Sequence, residues 1–337
     1  VVRTEPDTFA VVSDLRTSVR FHFDERISER IVGGTLDDAV TVSPRTGDVR
    51  VRHGSRTLTV EVGGGLRPGV VYRVTLLPVV HDLFGNRLAD PFELVFSTGG
   101  ALLPTALAGW AWNRITGEGV GGARVHARGP DSLVHVAQAD GDGIFAFRYL
   151  PGGSFLVTGF EDLDRDDVVD AHEPQGSVAA NLGAADTLIL NVPLLPQDTT
   201  PAVLAGARAL DSLTVVLEFD DYIDPEAPSS DVVVLVETDG AATPAVGSVL
   251  HEHEYEAYVT AVRDSLAAAA GASLAAPSSP AVRPDSAADV GAVSPGAAQA
   301  GLQSGPRAPP SLAGGAGGGG RARTGPDGRP LPSRRMV

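Results

Sequence analysis

Between Phe160 and Glu173 the chain reads Phe-Glu-Asp-Leu-Asp-Arg-Asp-Asp-Val-Val-Asp-Ala-His-Glu. With Asp162 as position 1, side-chain carboxylates fall at positions 1, 3, 5, 9 and 12, the ligand spacing of a twelve-residue calcium loop. Calcium is a hard cation that takes six to eight oxygens, and alternate side chains of a tight loop converge on one point. Asp162, Asp164, Asp166 and Asp170 would each bring a carboxylate, Val168 its carbonyl at position 7, and Glu173 two oxygens at position 12. Val169, at position 8, suits an apolar anchor to the core. These six residues are the expected ligands of a structural Ca2+.

Two features depart from the pattern. Position 6 normally holds Gly for a sharp turn and here holds Asp167; Pro174 follows Glu173, so a strand–loop setting is expected rather than an exiting helix. The plainer alternative is a solvated acidic turn. Against it, six carboxylates within twelve residues repel one another unless a counter-ion is present.

Other chemistry finds little footing. There is no His-Glu-x-x-His, no Gly-x-Ser-x-Gly elbow to order a nucleophile, and Gly63-Gly64-Gly65 lacks the Lys-Ser/Thr pair of a phosphate loop. His251-Glu252-His253-Glu254 would place both imidazoles on one side of an extended segment, enough for zinc only with a third ligand; incidental polar sequence is the preferred reading. Glycoside hydrolysis needs two acids across a cleft, whereas residues 162–173 carry theirs on one loop. The expectation is a protein that is not an enzyme.

The net charge is −16, and all 26 basic residues are arginine. Residues 101–200 hold 13 acids against 5 Arg and residues 201–250 hold 9 against 1, while both ends are near neutral. So acidic a middle argues against nucleic acid, whose phosphates call for clustered cations. Cysteine is absent, which removes disulfides and thiolate metal sites. No run of 18 apolar residues is present to span a membrane. The chain starts at Val1 with no signal-like region, which is compatible with a processed or truncated precursor and leaves a lost signal or lipid-anchor segment open.

The elements that must hold the loop are short alternating strands. Val19, Phe21 and Phe23 alternate with polar neighbours, and so do Val40/Val42, Val49/Val51, Leu58/Val60/Val62, Tyr72/Val74/Leu76 and Phe92/Leu94/Phe96. Strands at about ten-residue spacing indicate a β-sandwich over 1–98. After a linker at 99–106, a second β unit over 107–195 has strands at Trp110/Trp112, Val125/Ala127, Val134/Val136, Ile144–Phe147, Phe155/Val157 and Leu188–Val192. Trp110 and Trp112 share a strand face and read as packing residues; a carbohydrate platform is the bolder reading. In the third segment Val215, Leu217 and Phe219 repeat Val19, Phe21 and Phe23, marking a partial copy of the first module over 201–250. Tyr255, Tyr258, Val259, Val262 and Leu266 recur at helical spacing within 251–276. Residues 277–337 are mostly Ala, Gly, Pro, Ser and Arg and are expected to be mostly disordered, although Arg334–Val337 could begin a strand.

The first module resembles the bacterial Ig-like domains of surface-layer and cell-envelope proteins. The residues that carry the likeness are Phe21-His22-Phe23-Asp24-Glu25 with Ile27, Leu66-Arg67-Pro68-Gly69 with Tyr72, Asp82-Leu83-Phe84-Gly85-Asn86, and Phe96-Ser97-Thr98. The second resembles transthyretin-like, carboxypeptidase-regulatory or Cna B-type modules through Gly121-Gly122-Ala123-Arg124-Val125, Ala139-Asp140-Gly141-Asp142-Gly143-Ile144-Phe145 and Leu150-Pro151-Gly152-Gly153. The acidic loop, ending in Glu173-Pro174, is similar to calcium loops of B-type repeats in bacterial surface adhesins. With no lysine, the isopeptide cross-link of some B-type modules is excluded.

These resemblances imply an all-β protein of tandem Ig-like and transthyretin-like β-sandwiches, secreted or exposed at the cell envelope, acting as spacer, scaffold or adhesin with an envelope protein or glycan as partner. A glycan- or protein-binding module and an accessory region of a secreted hydrolase are the rival readings.

Overall fold

The computed structural model describes residues 1–16, 18–31, 34–229, 246–274 and 323–337. Two compact units emerge, Val1–Thr199 and Thr200–Val337.

In the first unit, the expected strands form where apolar side chains alternate. They are β1 (Arg3–Glu5), β2 (Val19–His22), β3 (Val40–Ser43), β4 (Val49–Gly54), β5 (Thr57–Val62), β6 (Val71–Leu76) and β7 (Phe92–Ser97). One sheet runs β1-β2-β5-β4 and the other β3-β6-β7, all antiparallel. The inward positions Phe21, Leu58, Tyr72, Val74, Leu94 and Phe96 are essentially inaccessible and join one core. Each such large apolar side chain contributes roughly 1.5–3 kcal/mol relative to exposure.

The turns use their polar residues as ties. Gly69 adopts φ +73°, and its N–H donates to the Thr98 carbonyl (3.0 Å) while the Thr98 hydroxyl donates to the Arg67 carbonyl (2.6 Å). Asp82 accepts from the Phe84 and Asn86 N–H groups and from the Asn86 side chain at 2.7–2.8 Å; that side-chain bond is the chief cause holding its carboxyl below the usual range.

The second set of strands is β8 (Ala106–Asn113), β9 (Arg124–Arg128), β10 (Val134–Gln138), β11 (Ile144–Arg148), β12 (Gly153–Phe160), β13 (Gln175–Leu182) and β14 (Thr187–Leu194). They make sheets β10-β9-β12-β13 and β11-β8-β14 around a core that includes Leu107, Val125, Phe145, Phe147, Val157 and Val192. β14 lies parallel to β8, and the approach is so close that a Cβ on Gly109 would collide with the Leu190 carbonyl. Gly143 (φ +85°) and Gly153 (φ +139°) sit at the turns expected to need them, and the Asp140 carboxylate accepts from the Asp142 and Ile144 N–H groups (3.0 and 2.8 Å).

β13 is absent from the sequence reading. It follows the acidic loop and pairs with β12 through eight residues, Gly153↔Leu182 to Phe160↔Gln175. Its residues are mostly small and polar, so backbone pairing rather than alternation makes it a strand.

The two sandwiches of this unit are tied by one backbone–backbone bond and by several bonds between side chains and backbone. The N–H of Arg45 donates to the Val134 carbonyl (2.7 Å), and that of Val136 to the Ser43 hydroxyl (3.0 Å). Arg73, 7% exposed, sends its guanidinium to the carbonyls of Ala146 and Val136 (2.8 and 3.2 Å) and lies 5.8 Å from the Phe147 ring centroid. Burial lowers its pKa, with Glu93 opposing.

The second unit carries β15 (Leu204–Ala209), β16 (Val215–Ile223) and β17 (Ser333–Met336), in the order β15-β16-β17, all antiparallel. Among its described residues it also holds one helix, α1 (Glu252–Leu274), so the all-β expectation holds only approximately. The alanine-rich run favours helix, and Tyr255 and Val259 are buried on it, with Val262 and Leu266 half-buried. Tyr258 departs from the expected stripe and is exposed. At the end of the segment expected to be mostly disordered, the strand expected from Arg334–Val337 is present: β17 pairs with β16, and Met336 is buried opposite Leu217. Residues 277–322 of that expectation lie outside the described residues, as do residues 230–245 of the third module.

Candidate metal centre

The acidic segment is the connection between β12 and β13, closed at its base where the Glu161 N–H donates to the Pro174 carbonyl (2.9 Å). The strand–loop setting expected from Pro174 is therefore the observed one. Two groups of side chains come together. Asp162, Asp164 and Asp166 each offer a carboxylate oxygen within 4.8 Å of the others, and so do Asp164, Asp170 and the imidazole of His172. Asp164 belongs to both, and either group offers three donors that could hold a divalent cation.

Backbone N–H groups orient these carboxylates. Asp162 accepts from Asp166 and Asp167 (3.1 and 3.3 Å), and Asp166 accepts from Val168 (2.7 Å). Glu173 is fully buried; one of its oxygens accepts from the Leu163 N–H (2.8 Å) and the other from the Asp170 N–H (3.2 Å). It thereby ties the start of the loop to its end. Both oxygens of this buried carboxylate are thus engaged by backbone N–H groups of the loop itself. Val168 is exposed.

Asp167 resolves the missing glycine. Its φ is +59°, the left-handed conformation that a sharp turn at position 6 demands, and Asp tolerates it better than most residues. The side chain is gripped from three sides. Arg45 donates from Nη1 to both the carbonyl and the carboxylate of Asp167 at 2.8 Å, His126 Nε2 lies at 3.4 Å, and Arg124 Nε at 3.7 Å. Burial opposes ionisation of Asp167, but the hydrogen bond and charge of His126, with Arg124 and Arg45, outweigh it and hold the carboxyl below its usual range. Arg124 also reaches Asp162 (3.4 Å).

The other candidates from sequence change character. Trp112 is fully buried, and the Trp110 indole N–H is spent on the Asp142 carbonyl (2.6 Å), so these rings form no flat exposed platform. His251 is buried with Nε2 2.8 Å from the Ala227 carbonyl, and His253 lies in the first turn of α1. His172 was missed: no spacing rule assigns it, and only the loop's fold brings it beside Asp164 and Asp170. Arg45, 122 residues before Asp167, had no sequence signal.

Residues 1–98 match the bacterial Ig-like domain family. Their core is the first sandwich, and the tied turns at Gly69 and Asp82 are the motifs that carried the resemblance. Among solved structures, the chain is similar to the major pilin subunit BcpA of Bacillus cereus at 8% identity, over 57% of this chain and 69% of that one, with a TM-score of 0.20. It is also similar to the group B streptococcus pilus 2b backbone protein (9% identity, 57% and 96% covered, TM-score 0.21) and to the N-terminal part of the bacterial S-layer protein SbsC (12%, 52% and 43%, 0.21). Scores this low lend nothing to the reading of function. A search of curated proteins finds no match.

Proposed function

We propose that this chain is a non-catalytic, surface-exposed structural or adhesive segment of a bacterial cell envelope, with a calcium ion stiffening its second sandwich. The observation that carries the reading is the β12–β13 loop. Asp162, Asp164 and Asp166 gather in one group and Asp164, Asp170 and His172 in another, position 6 turns through a left-handed residue, and the buried Glu173 fastens the loop ends. Hard oxygen donors in this number suit calcium; the single imidazole of His172 would be a peripheral ligand or none. The ion would be held by Asp162, Asp164, Asp166 and Asp170, with Val168 and Glu173 completing the set, and it would cancel the mutual repulsion of the carboxylates. The bacterial Ig-like match over residues 1–98 supports the envelope setting; the partner in this reading would be an envelope protein or glycan.

The domain division belongs to the same proposal. Residues 1–98 form the Ig-like module, 107–195 a transthyretin-like or B-type module, and 201–250 begin a second Ig-like copy before the helical segment at 251–276. For the copy, the order β15-β16-β17 parallels β1-β2-β5, with β17 in the place of β5.

Extracellular loops of this kind bind calcium with Kd of roughly 10⁻⁴–10⁻³ M. At a Kd near 10⁻⁴ M, about 10 mM calcium would stabilise the first unit by about 2.7 kcal/mol, a rise in melting temperature of roughly 5–10 °C. Titration calorimetry and thermal melts of the chain with and without calcium test this, with Asp164→Ala as the variant that removes the shared ligand. Saturable heat and a melting rise in the wild type, both lost in Asp164→Ala, are expected. No heat and no shift at millimolar calcium would sink the reading.

A further inference from the structure

We propose that Arg45, on the first sandwich, is a positioning residue for the cation loop of the second, so that ion binding and the joint between these two sandwiches are thermodynamically linked. The inference rests on the calcium reading above and goes beyond it in assigning control of the loop to a different module.

Arg45 works at both ends. Its own N–H is bonded to Val134 on β10, which fixes the backbone of the first sandwich against the second. Its guanidinium spans to the loop and holds the carbonyl and the carboxylate of one residue, Asp167. Asp167 stands between Asp166 and Val168, positions 5 and 7 of the loop, and its N–H donates to Asp162 at position 1. A rotation of the Asp167 peptide therefore displaces three ligand positions together. Asp167 tolerates its left-handed φ better than most residues but at more cost than glycine, and these contacts offset that cost. Arg124 and His126 also hold Asp167, but both come from β9 of the same sandwich. Arg45 alone among these three couples the loop to the neighbouring module.

Linkage requires the effect to run both ways: if the joint favours the ion-binding shape of the loop, the ion favours the closed joint by the same factor. The sign of the effect separates this from simple charge. A guanidinium near the loop repels a cation, so deleting an Arg that acts only as a charge tightens calcium binding. Deleting one that positions the loop weakens it.

The experiment uses the full chain with Arg45→Met and Arg45→Lys, each confirmed by a cooperative calcium-free melt, and measures calcium affinity by calorimetry. In parallel, Ser55→Cys with Ala179→Cys supplies a spin-label pair across the joint, since the chain has no cysteine of its own. The expected result is calcium binding about fivefold or more weaker in Arg45→Met, partly restored in Arg45→Lys. Calcium should narrow the label distance distribution in the wild type and not in Arg45→Met. Unchanged or tighter binding in Arg45→Met, with the wild type binding normally, overturns the positioning role and leaves the calcium reading standing. Failure of the wild type itself to bind calcium overturns the calcium reading, and this inference with it.

Discussion

Acidification should destabilise the first unit through a single buried imidazole. His135 on β10 is 4% exposed, its ring lies 6.2 Å from that of Phe155, and its Nε2 is buried without a hydrogen-bond partner. Burial lowers its pKa to about 4; Asp131, with an oxygen 3.8 Å away, opposes the shift, and buried Arg73 reinforces it. In the unfolded chain the same group titrates near 6.5. Between these values the unfolded state binds the proton and the folded state does not, so the contribution is complete above about pH 6.5 and is lost as pH falls towards 4. Over the interval from pH 7 to pH 5 the loss comes to about 2 kcal/mol. Urea titrations at the two pH values measure it, and the chain's two tryptophans, Trp110 and Trp112, both lie on β8 and so report on this unit alone. With an m-value near 2 kcal/mol per molar, the midpoint should fall by roughly 1 M. His135→Phe, which keeps the aromatic contact and has no proton to gain, should lie within about 1.5 kcal/mol of wild type at pH 7 and lose most of the pH dependence. An equal fall in midpoint for wild type and variant would refute the assignment to His135.

Two further expectations concern the backbone. At Asp167 the left-handed φ makes Asp167→Ala costlier than Asp167→Gly by about 1 kcal/mol, the reverse of the usual order, with Asp167→Asn the mildest; urea midpoints of the three rank them. At Gly109 the closeness of the Leu190 carbonyl leaves no room for a methyl group, so Gly109→Ala should cost at least about 3 kcal/mol or prevent the second sandwich from folding, read from tryptophan fluorescence and circular dichroism.

What the sequence disclosed followed from periodicity, and what it hid lacked any. Strands such as β2, β5, β6 and β7 carry large apolar residues at every second position, because one face of each is buried, and that pattern is legible without coordinates. β1, β13 and β15 carry no such pattern. β13 exists because β12 offers it a complete ladder of backbone partners, which depends on where the chain goes after the acidic loop. The loop divides the same way. Its carboxylate spacing is local and was readable; the reach of Arg45, the left-handed turn at Asp167 and the place of His172 are products of tertiary structure. The turn at Asp167 also removes the objection that position 6 lacks glycine.

The pairing of β17 with β16 has a consequence for biosynthesis. Leu217 meets Met336, so more than a hundred residues leave the ribosome between the making of one partner and the other. Units formed by local contacts can fold as they emerge, whereas a sheet whose strands lie so far apart in sequence must wait for the later one. The first unit, whose strands all lie before residue 200, can be complete while β15 and β16 still present an open edge at residue 223. That interval is when the nascent chain is most exposed to mispairing, and when a chaperone holding an unpaired strand would matter most.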